Sequence, residues 1–174
     1  MQTYSSLIQD EAARIGLFPE VAFSQAIIES SDSSGAFGQN YNAKYGNNLF
    51  GLKASKNWHG ETLENPEVKS ESNIFRSYNS FEDSIKDYFN FLVVNPRYKK
   101  ALSQKTFSDQ VEELQRAGYA GKNSNYAALI EKISVGVRKL LGLKIPKASA
   151  NTLYITMAFG FLLLMAYSQK KGNK

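Results

Sequence analysis

Between residues 31 and 78 the helical period that governs the rest of this chain disappears, and that interruption limits the folds open to it. On the N-terminal side, residues 3–15 place Leu7, Ile8, Ala12 and Ile15 on one face of an amphipathic helix that Gly16 ends. Pro19 suits the first turn of a second helix, about 19–30, because its missing N–H costs nothing there. From 31 to 48 Ser, Gly and Asn dominate. Short apolar fragments then alternate with polar residues through Ile74-Phe75-Arg76, which predicts an irregular lobe holding a small, short-stranded sheet. Helices resume behind Ser80, where Ser80 and Asp83 form a capping-box pattern and the apolar run continues to Val94. Pro96 breaks it. Thr106 with Asp109 starts the next helix and Gly118 stops it. Ser124 is the expected cap of a longer one, about 125–141, carrying Tyr126, Leu129, Ile130, Ile133, Val137 and Leu140. Periodicity alone therefore gives a mostly helical domain with a polar, partly β insertion, an α+β class.

The chemistry open to such a chain is narrowed by what it lacks. Cysteine is absent, which excludes disulfides, thiolate nucleophiles and Cys-based zinc sites. A single histidine, His59, argues against Ser-His-Asp chemistry and against His-rich metal centres, so neither a metal nor a cofactor is expected. The net charge of +5 is misleading, since Lys170, Lys171 and Lys174 stand beyond residue 152 with no acid among them. The remainder carries eighteen basic against sixteen acidic residues. No basic stripe interleaved with aromatics is present, and nucleic acid is set aside as a partner.

Within the second helix, Ala22, Ala26 and Glu29 share one face. A carboxyl at the end of an apolar stripe loses solvation, which disfavours its charged form and raises its pKa. Acids that protonate a glycosidic oxygen are prepared in this way, although a Glu at a helix end is ordinarily a solvated surface residue.

Several separate blocks surround that acid. They are Gln25-Ala26-Ile27-Ile28-Glu29-Ser30, Asn48-Leu49-Phe50-Gly51-Leu52-Lys53, Thr62-Leu63-Glu64, and Phe75-Arg76-Ser77-Tyr78 with Ser80 and Ser84 behind it. After these come Asp87-Tyr88-Phe89 with Asn95-Pro96-Arg97-Tyr98, and then Ala117-Gly118-Tyr119-Ala120 ahead of Tyr126-Ala127. Each is weak alone. Six in order over roughly residues 20–135 resemble the glucosaminidase-type peptidoglycan hydrolases, glycoside hydrolase family 73, of flagellar-hydrolase and autolysin type.

The resemblance implies a two-lobed, lysozyme-like domain over residues 1–145, with the cleft between the lobes and the acid at a helix end facing it. It implies an endo-N-acetylglucosaminidase acting on the glycan strand of peptidoglycan, with Glu29 as proton donor. It points to Glu64 as the second carboxylate, while Glu61, Glu67 and Glu71 stand close enough that sequence does not fix the choice. Tyr119 matches a family tyrosine near the acid, placed to hold an acetamido group or orient a water. Asn48 and Phe50 match the motif shaping the cleft floor, and Tyr126 joins them as a substrate-binding candidate. Trp58, Tyr41 and Tyr45 offer flat faces on which pyranose rings stack. One departure stands out: the family commonly continues Glu-Ser-Gly-Trp-Gly, whereas this chain has Glu29-Ser30-Ser31-Asp32-Ser33-Ser34-Gly35. Asp32 is there a candidate second acid that raises the Glu29 pKa by like-charge repulsion.

The last part of the chain has another character. After a linker at 146–151, residues 153–168 contain no charge and are apolar all round. At 1.5 Å per residue the segment and its edges span about 25 Å, the short end for a bilayer. Tyr154 and Tyr167 stand near its ends, where interfacial aromatics belong. A transmembrane helix is expected over 152–169, with a basic tail at 170–174 and a lipid bilayer as partner. The N-terminus shows no basic segment followed by an apolar one, so no secretory leader is expected. A hydrolase anchored in this way would suit the membrane of a lipid-containing phage particle. Two other readings stay open from the residues alone: a lytic transglycosylase on a related fold, and a non-catalytic glycan-binding or structural membrane protein. Oligomeric state and topology are not legible.

Overall fold

A computed structural model of the chain describes residues 2–69, 73–121 and 125–143. The expected linker, transmembrane segment and basic tail, residues 146–174, lie outside the described residues. Among the described residues no helix is long and apolar enough to cross a membrane.

Helices α1 (Gln2–Ile15) and α2 (Pro19–Ser30) form where the apolar stripes predict them, with Pro19 in the first turn of α2 and Gly16 at φ +75° turning the chain between them. The polar insertion holds a short helix, α3 (Tyr41–Gly46), and a two-stranded antiparallel sheet. Its strands are β1 (Thr62–Glu64) and β2 (Ile74–Arg76), paired Thr62 with Arg76, Leu63 with Phe75 and Glu64 with Ile74. The helical side resumes with α4 (Phe81–Val94), a 3-10 turn at Pro96–Tyr98, α5 (Lys99–Leu102), α6 (Phe107–Arg116) and α7 (Tyr126–Leu141). The fold is mainly helical with a small two-strand sheet, as the α+β expectation required.

Capping chemistry behaves as the sequence predicts at two of three starts. Ser80 accepts from the Asp83 N–H, and Thr106 from the Asp109 N–H. The shorter acid closes each box on the capping hydroxyl, Ser80 donating to Asp83 at 2.8 Å and Thr106 to Asp109 at 2.6 Å. At the third, Ser124 lies outside the described residues. The cap position of α7 falls on Asn125, whose side chain makes no capping bond. Helix α3, like the 3-10 turn at Pro96–Tyr98 and the single turn of α5, is an element the sequence did not reveal. Its six residues are too few to show a 3.6-residue period, and only the cap, Asn40 accepting from the Ala43 N–H, announces it.

The core sits among α1, α2, α4, α6 and α7, built from Ile8, Ala12, Val21, Ala22, Ala26, Ile85, Phe89, Leu92, Val111, Leu114 and Ile130, all buried. Helix α2 lies in its middle, packed on α7, on α1 and on α3. One buried ion pair ties α2 to α7: Arg138 Nε donates to Glu20 Oε1 at 2.9 Å, with the guanidinium 4.2 Å over the Phe107 ring. Gln110 does the same for α6 without charge. It accepts from the Phe18 N–H and donates to the Gly16 and Ala101 carbonyls, meeting the polar needs of the α1–α2 turn inside the core.

The polar lobe is pinned by amides. Asn48 is fully buried and spends its side chain on three backbone groups: it donates to the Leu52 and Arg76 carbonyls and accepts from the Leu52 N–H. Ser84 on α4 accepts from the Leu49 N–H at 3.0 Å. Asn65 donates to Asn42 at 2.8 Å, fastening the end of β1 to α3. Gly46 lets α3 close on the sheet, since a Cβ there would stand 3.0 Å from the Leu63 side chain. The polar lobe is therefore held largely by neutral hydrogen bonds, each unmade bond costing about 1–3 kcal/mol when its partner stays buried.

Candidate active site

The two lobes leave a cleft of about 1430 Å³ between them. That is room for several sugar rings rather than one small ligand. Its lining joins the α2 end (Ile28, Glu29), the start of α3 (Tyr41), the Phe50–Lys53 stretch, Trp58, the β2 edge (Phe75, Arg76), the outer face of α4, and Tyr98, Tyr119 and Tyr126.

Glu29 occupies the last turn of α2 and is only partly exposed. Burial raises its carboxyl from the ordinary 4.5 to about 7. The loop behind α2 holds the helix end in place. Asn40 Nδ2 donates to the Glu29 carbonyl at 2.5 Å while its Oδ1 caps α3, so one amide fixes the acid's backbone and the start of the next helix. Buried Ser30 donates to the Ala26 carbonyl at 2.6 Å and accepts from the Gly38 N–H. The wall facing the carboxyl is Gly51, at φ +59°, where an added Cβ would lie 3.2 Å from Glu29 Oε2. Only a residue without a side chain lets the backbone approach the acid so closely and adopt that turn.

Asp32 does not play the part expected of it. Its Oδ1 accepts from the Ser34 N–H, the Ser34 hydroxyl and the Ala36 N–H, which hold its carboxyl below the ordinary range and close the loop after α2. Burial alone accounts for the rise at Glu29. The departure from the family's Gly-Trp-Gly continuation thus builds a turn rather than a second acid.

Behind Glu29 stands an aromatic wall. Tyr88 stacks on Phe50 at 3.8 Å and donates to the side-chain oxygen of Gln25. Tyr119 packs edge-on to Tyr88 and 5.8 Å from Tyr126 in a stacked pair. Burial pushes the Tyr88, Tyr119 and Tyr126 phenols well above the ordinary value, and the neighbouring Glu29 charge adds to this in all three. All three hydroxyls therefore stay protonated. That of Tyr119 is buried with no hydrogen-bond partner among the described residues, as are those of Tyr98 and Tyr126.

On the other wall Arg76 is ion-paired with Asp87 at 2.6 Å, and Tyr78 donates to the same carboxylate oxygen at 2.7 Å. The guanidinium lies 4.6 Å over Trp58. Trp58 thus lines the cleft with one face already covered, its indole N–H spent on the Glu61 carbonyl. Tyr41 lines the cleft beside the more exposed Tyr45, ring centres 4.7 Å apart.

Of the sequence-predicted residues, Glu29, Tyr119, Tyr126, Phe50, Tyr41 and Trp58 converge on this one cleft. Asn48 lies beneath its floor, holding the backbone that carries Phe50 and Gly51. Glu64 is exposed, accepts from Asn73 at 3.0 Å and stands outside the cleft lining, whereas Glu67 from the same lobe is part of it. Gln25, Gly51, Tyr88 and the Arg76–Asp87–Tyr78 group were not singled out by residue reasoning. Their signal lay inside the quoted blocks, but their partners come from 9 to 63 residues away. Among the described residues no group of His, Asp and Glu side chains gathers as metal ligands would.

Comparison with known proteins identifies the family. Residues 5–138 match the glucosaminidase family model, described as mannosyl-glycoprotein endo-beta-N-acetylglucosaminidase. The peptidoglycan hydrolase FlgJ of Vibrio parahaemolyticus is 40% identical over 121 residues, covering 63% of this chain and 37% of that protein. FlgJ of Pseudomonas aeruginosa is 34% identical over 140 residues, covering 76% of this chain and 34% of that protein. The chain thus spans little more than a third of the length of these relatives. The glycoside hydrolase domain of Salmonella typhimurium FlgJ superposes with a TM-score of 0.59 at 26% identity, covering 79% of this chain and 86% of that one. With the family model matched over residues 5–138, the chain belongs to the glucosaminidase family of glycoside hydrolases.

Proposed function

We propose that this chain hydrolyses the glycan strand of peptidoglycan as an endo-N-acetylglucosaminidase. The observation that carries the reading is the Glu29 carboxyl, half-buried at the head of a polysaccharide-sized cleft and protonated up to about pH 7. Glycoside cleavage needs a proton on the leaving oxygen and stabilisation of a positive anomeric carbon. Glu29 gives its proton to the glycosidic oxygen as the C–O bond breaks. The anomeric carbon is then met either by water directed from a carboxylate of the polar lobe or by the substrate's own acetamido oxygen. The family resemblance assigns the carboxylate to Glu64, and the position of Glu67 in the cleft lining makes it the competitor. Tyr119, with its protonated and unpartnered hydroxyl, suits the acetamido carbonyl.

The experiment is mass spectrometry of peptidoglycan digested by the full chain. Reducing N-acetylglucosamine ends support the reading. Reducing N-acetylmuramic ends, 1,6-anhydro ends or no new ends would each sink it, in favour of a muramidase, a lytic transglycosylase or a binding protein.

Residues 152–169 supply a second part of the proposal. Their length, lack of charge and terminal tyrosines support a single membrane-spanning anchor that holds the hydrolase at a bilayer. A cell envelope and the membrane of a phage particle both fit that design, the latter using the enzyme for wall penetration.

A further inference from the structure

Every bond of an alternating peptidoglycan strand has a muramyl residue on one side, so a peptide stem flanks whichever bond is cut. The sugars themselves are neutral, and the substrate's negative charges lie on its stems. The cleft carries three cations on its lining: Lys53, Arg76 and Arg97. Arg76 is committed, partly buried against Asp87. Lys53 lies 5.5 Å over the Phe75 ring. Arg97 differs from Arg76. It is exposed, and no carboxylate stands within ion-pair distance of it among the described residues.

Its position is nevertheless built. Pro96 opens the 3-10 turn that carries it, and the next residue, Tyr98, is fully buried and anchors that turn in the core. The guanidinium stacks 4.6 Å over the Tyr98 ring and 5.9 Å over Phe91. Stacking, together with the polar interaction between the guanidinium and the Tyr98 phenol, holds the planar fork at the cleft wall, and its remaining N–H groups suit a carboxylate. Tyr98 in turn lies 6.0 Å from Tyr119, the tyrosine beside the acid, so this cation stands along the same wall as the reacting centre. Asn90 and Asn95 line the cleft on the same stretch and supply neutral donors.

We infer that Arg97 is a specificity residue that binds a carboxylate of the peptide stem and so selects stem-bearing glycan. This rests on the peptidoglycan reading and deepens it. A contact made alike in the ground state and transition state raises affinity without changing turnover, so the effect belongs in KM.

The test uses the full chain on sacculi free of phosphate polymers, either native or with their carboxylates converted to amides, with release of reducing ends as the readout. Arg97→Gln is expected to raise KM on native sacculi by about tenfold, the worth of one charge-assisted contact in a partly wet cleft, with kcat within about twofold. Amidation should raise the parent's KM equally and leave Arg97→Gln unaffected, while Arg97→Lys recovers part of the loss. Equal KM for parent and Arg97→Gln on native sacculi would overturn the inference, as would a defect that persists in full on amidated sacculi. If Arg97→Gln does not fold by circular dichroism, the parent alone decides: a KM indifferent to amidation overturns the assignment. A KM advantage for the parent seen only on walls bearing phosphate polymers would overturn it in favour of a phosphate ligand. Failure of the parent to release ends from either preparation is a different result, because it removes the hydrolase reading itself.

Discussion

At Glu29 one cause has two measurable effects. Burial holds the carboxyl at about 7 in the folded protein, against 4.5 for an ordinary glutamate. Folding therefore favours the protonated form, and the group's contribution to stability is full below pH 4.5 and lost as pH rises through about 7. Glu29→Gln keeps the shape and removes the titration. It is expected to be more stable than the parent above pH 7, by about 1–3 kcal/mol, with the advantage gone near pH 4. Denaturant melts at the two pH values check this, and equal stability of both proteins at pH 8 would show that the carboxyl is not desolvated. The same variant should lose wall-degrading activity by on the order of a thousandfold, since general acid catalysis is worth about 10²–10⁴. The parent's activity should fall as pH rises through about 7. The second carboxylate is settled by comparing Glu64→Gln with Glu67→Gln. If water is activated by a protein acid, only the variant at the acting position loses more than about a hundredfold. Silence in both would favour participation by the acetamido group.

Elements owe their positions here to short polar contacts as much as to apolar stripes, and this decides what could be read in advance. Helices α1, α2, α4, α6 and α7 announce themselves because each is long enough to repeat its apolar face and has a Gly, Pro or hydroxyl at an end. The polar lobe has neither length nor period. Its frame is a set of amides, Asn40, Asn47, Asn48 and Asn65, whose partners lie 3 to 31 residues away and leave no local pattern. Hence Glu29 was legible as an acid on an apolar face. The Arg76–Asp87–Tyr78 group and the placing of Glu67 rather than Glu64 in the cleft were not. Two substitutions test this frame. Asn48→Ala leaves the Leu52 N–H without its acceptor and removes the amide's bonds to the Leu52 and Arg76 carbonyls, and is expected to cost about 2–4 kcal/mol, seen as a lowered denaturation midpoint. Gly51→Ala puts a methyl 3.2 Å from Glu29 Oε2 at a φ of +59°. Its expected cost is about 1–3 kcal/mol in stability, together with a displaced acid and a loss of kcat. A Gly51→Ala enzyme with the parent's kcat would show that the floor yields to the acid rather than fixing it.

For the whole molecule the question is whether the hydrolase fold and the segment beyond it are separate units. Both lobes, the cleft and the ion pair joining α2 to α7 are complete within residues 2–143, and Gly142, at φ +67°, turns the chain out of α7. Residues 152–169 have the composition of a bilayer span: each central Leu, Ile or Phe favours insertion by about 0.3–0.6 kcal/mol, and no charge opposes them. The full chain is expected to partition with liposomes. A chain ending at residue 145 should remain in the aqueous phase, monodisperse without detergent, and digest sacculi at a rate close to that of the detergent-solubilised parent. A helix packed on the hydrolase core would behave differently, because removing it would uncover a large apolar groove. Flotation of both proteins with liposomes, followed by size-exclusion chromatography and wall digestion by the truncated one, separates the two architectures. Aggregation and loss of activity on truncation, with no flotation of the full chain, would assign residues 152–169 to the core and remove the membrane from the proposed function.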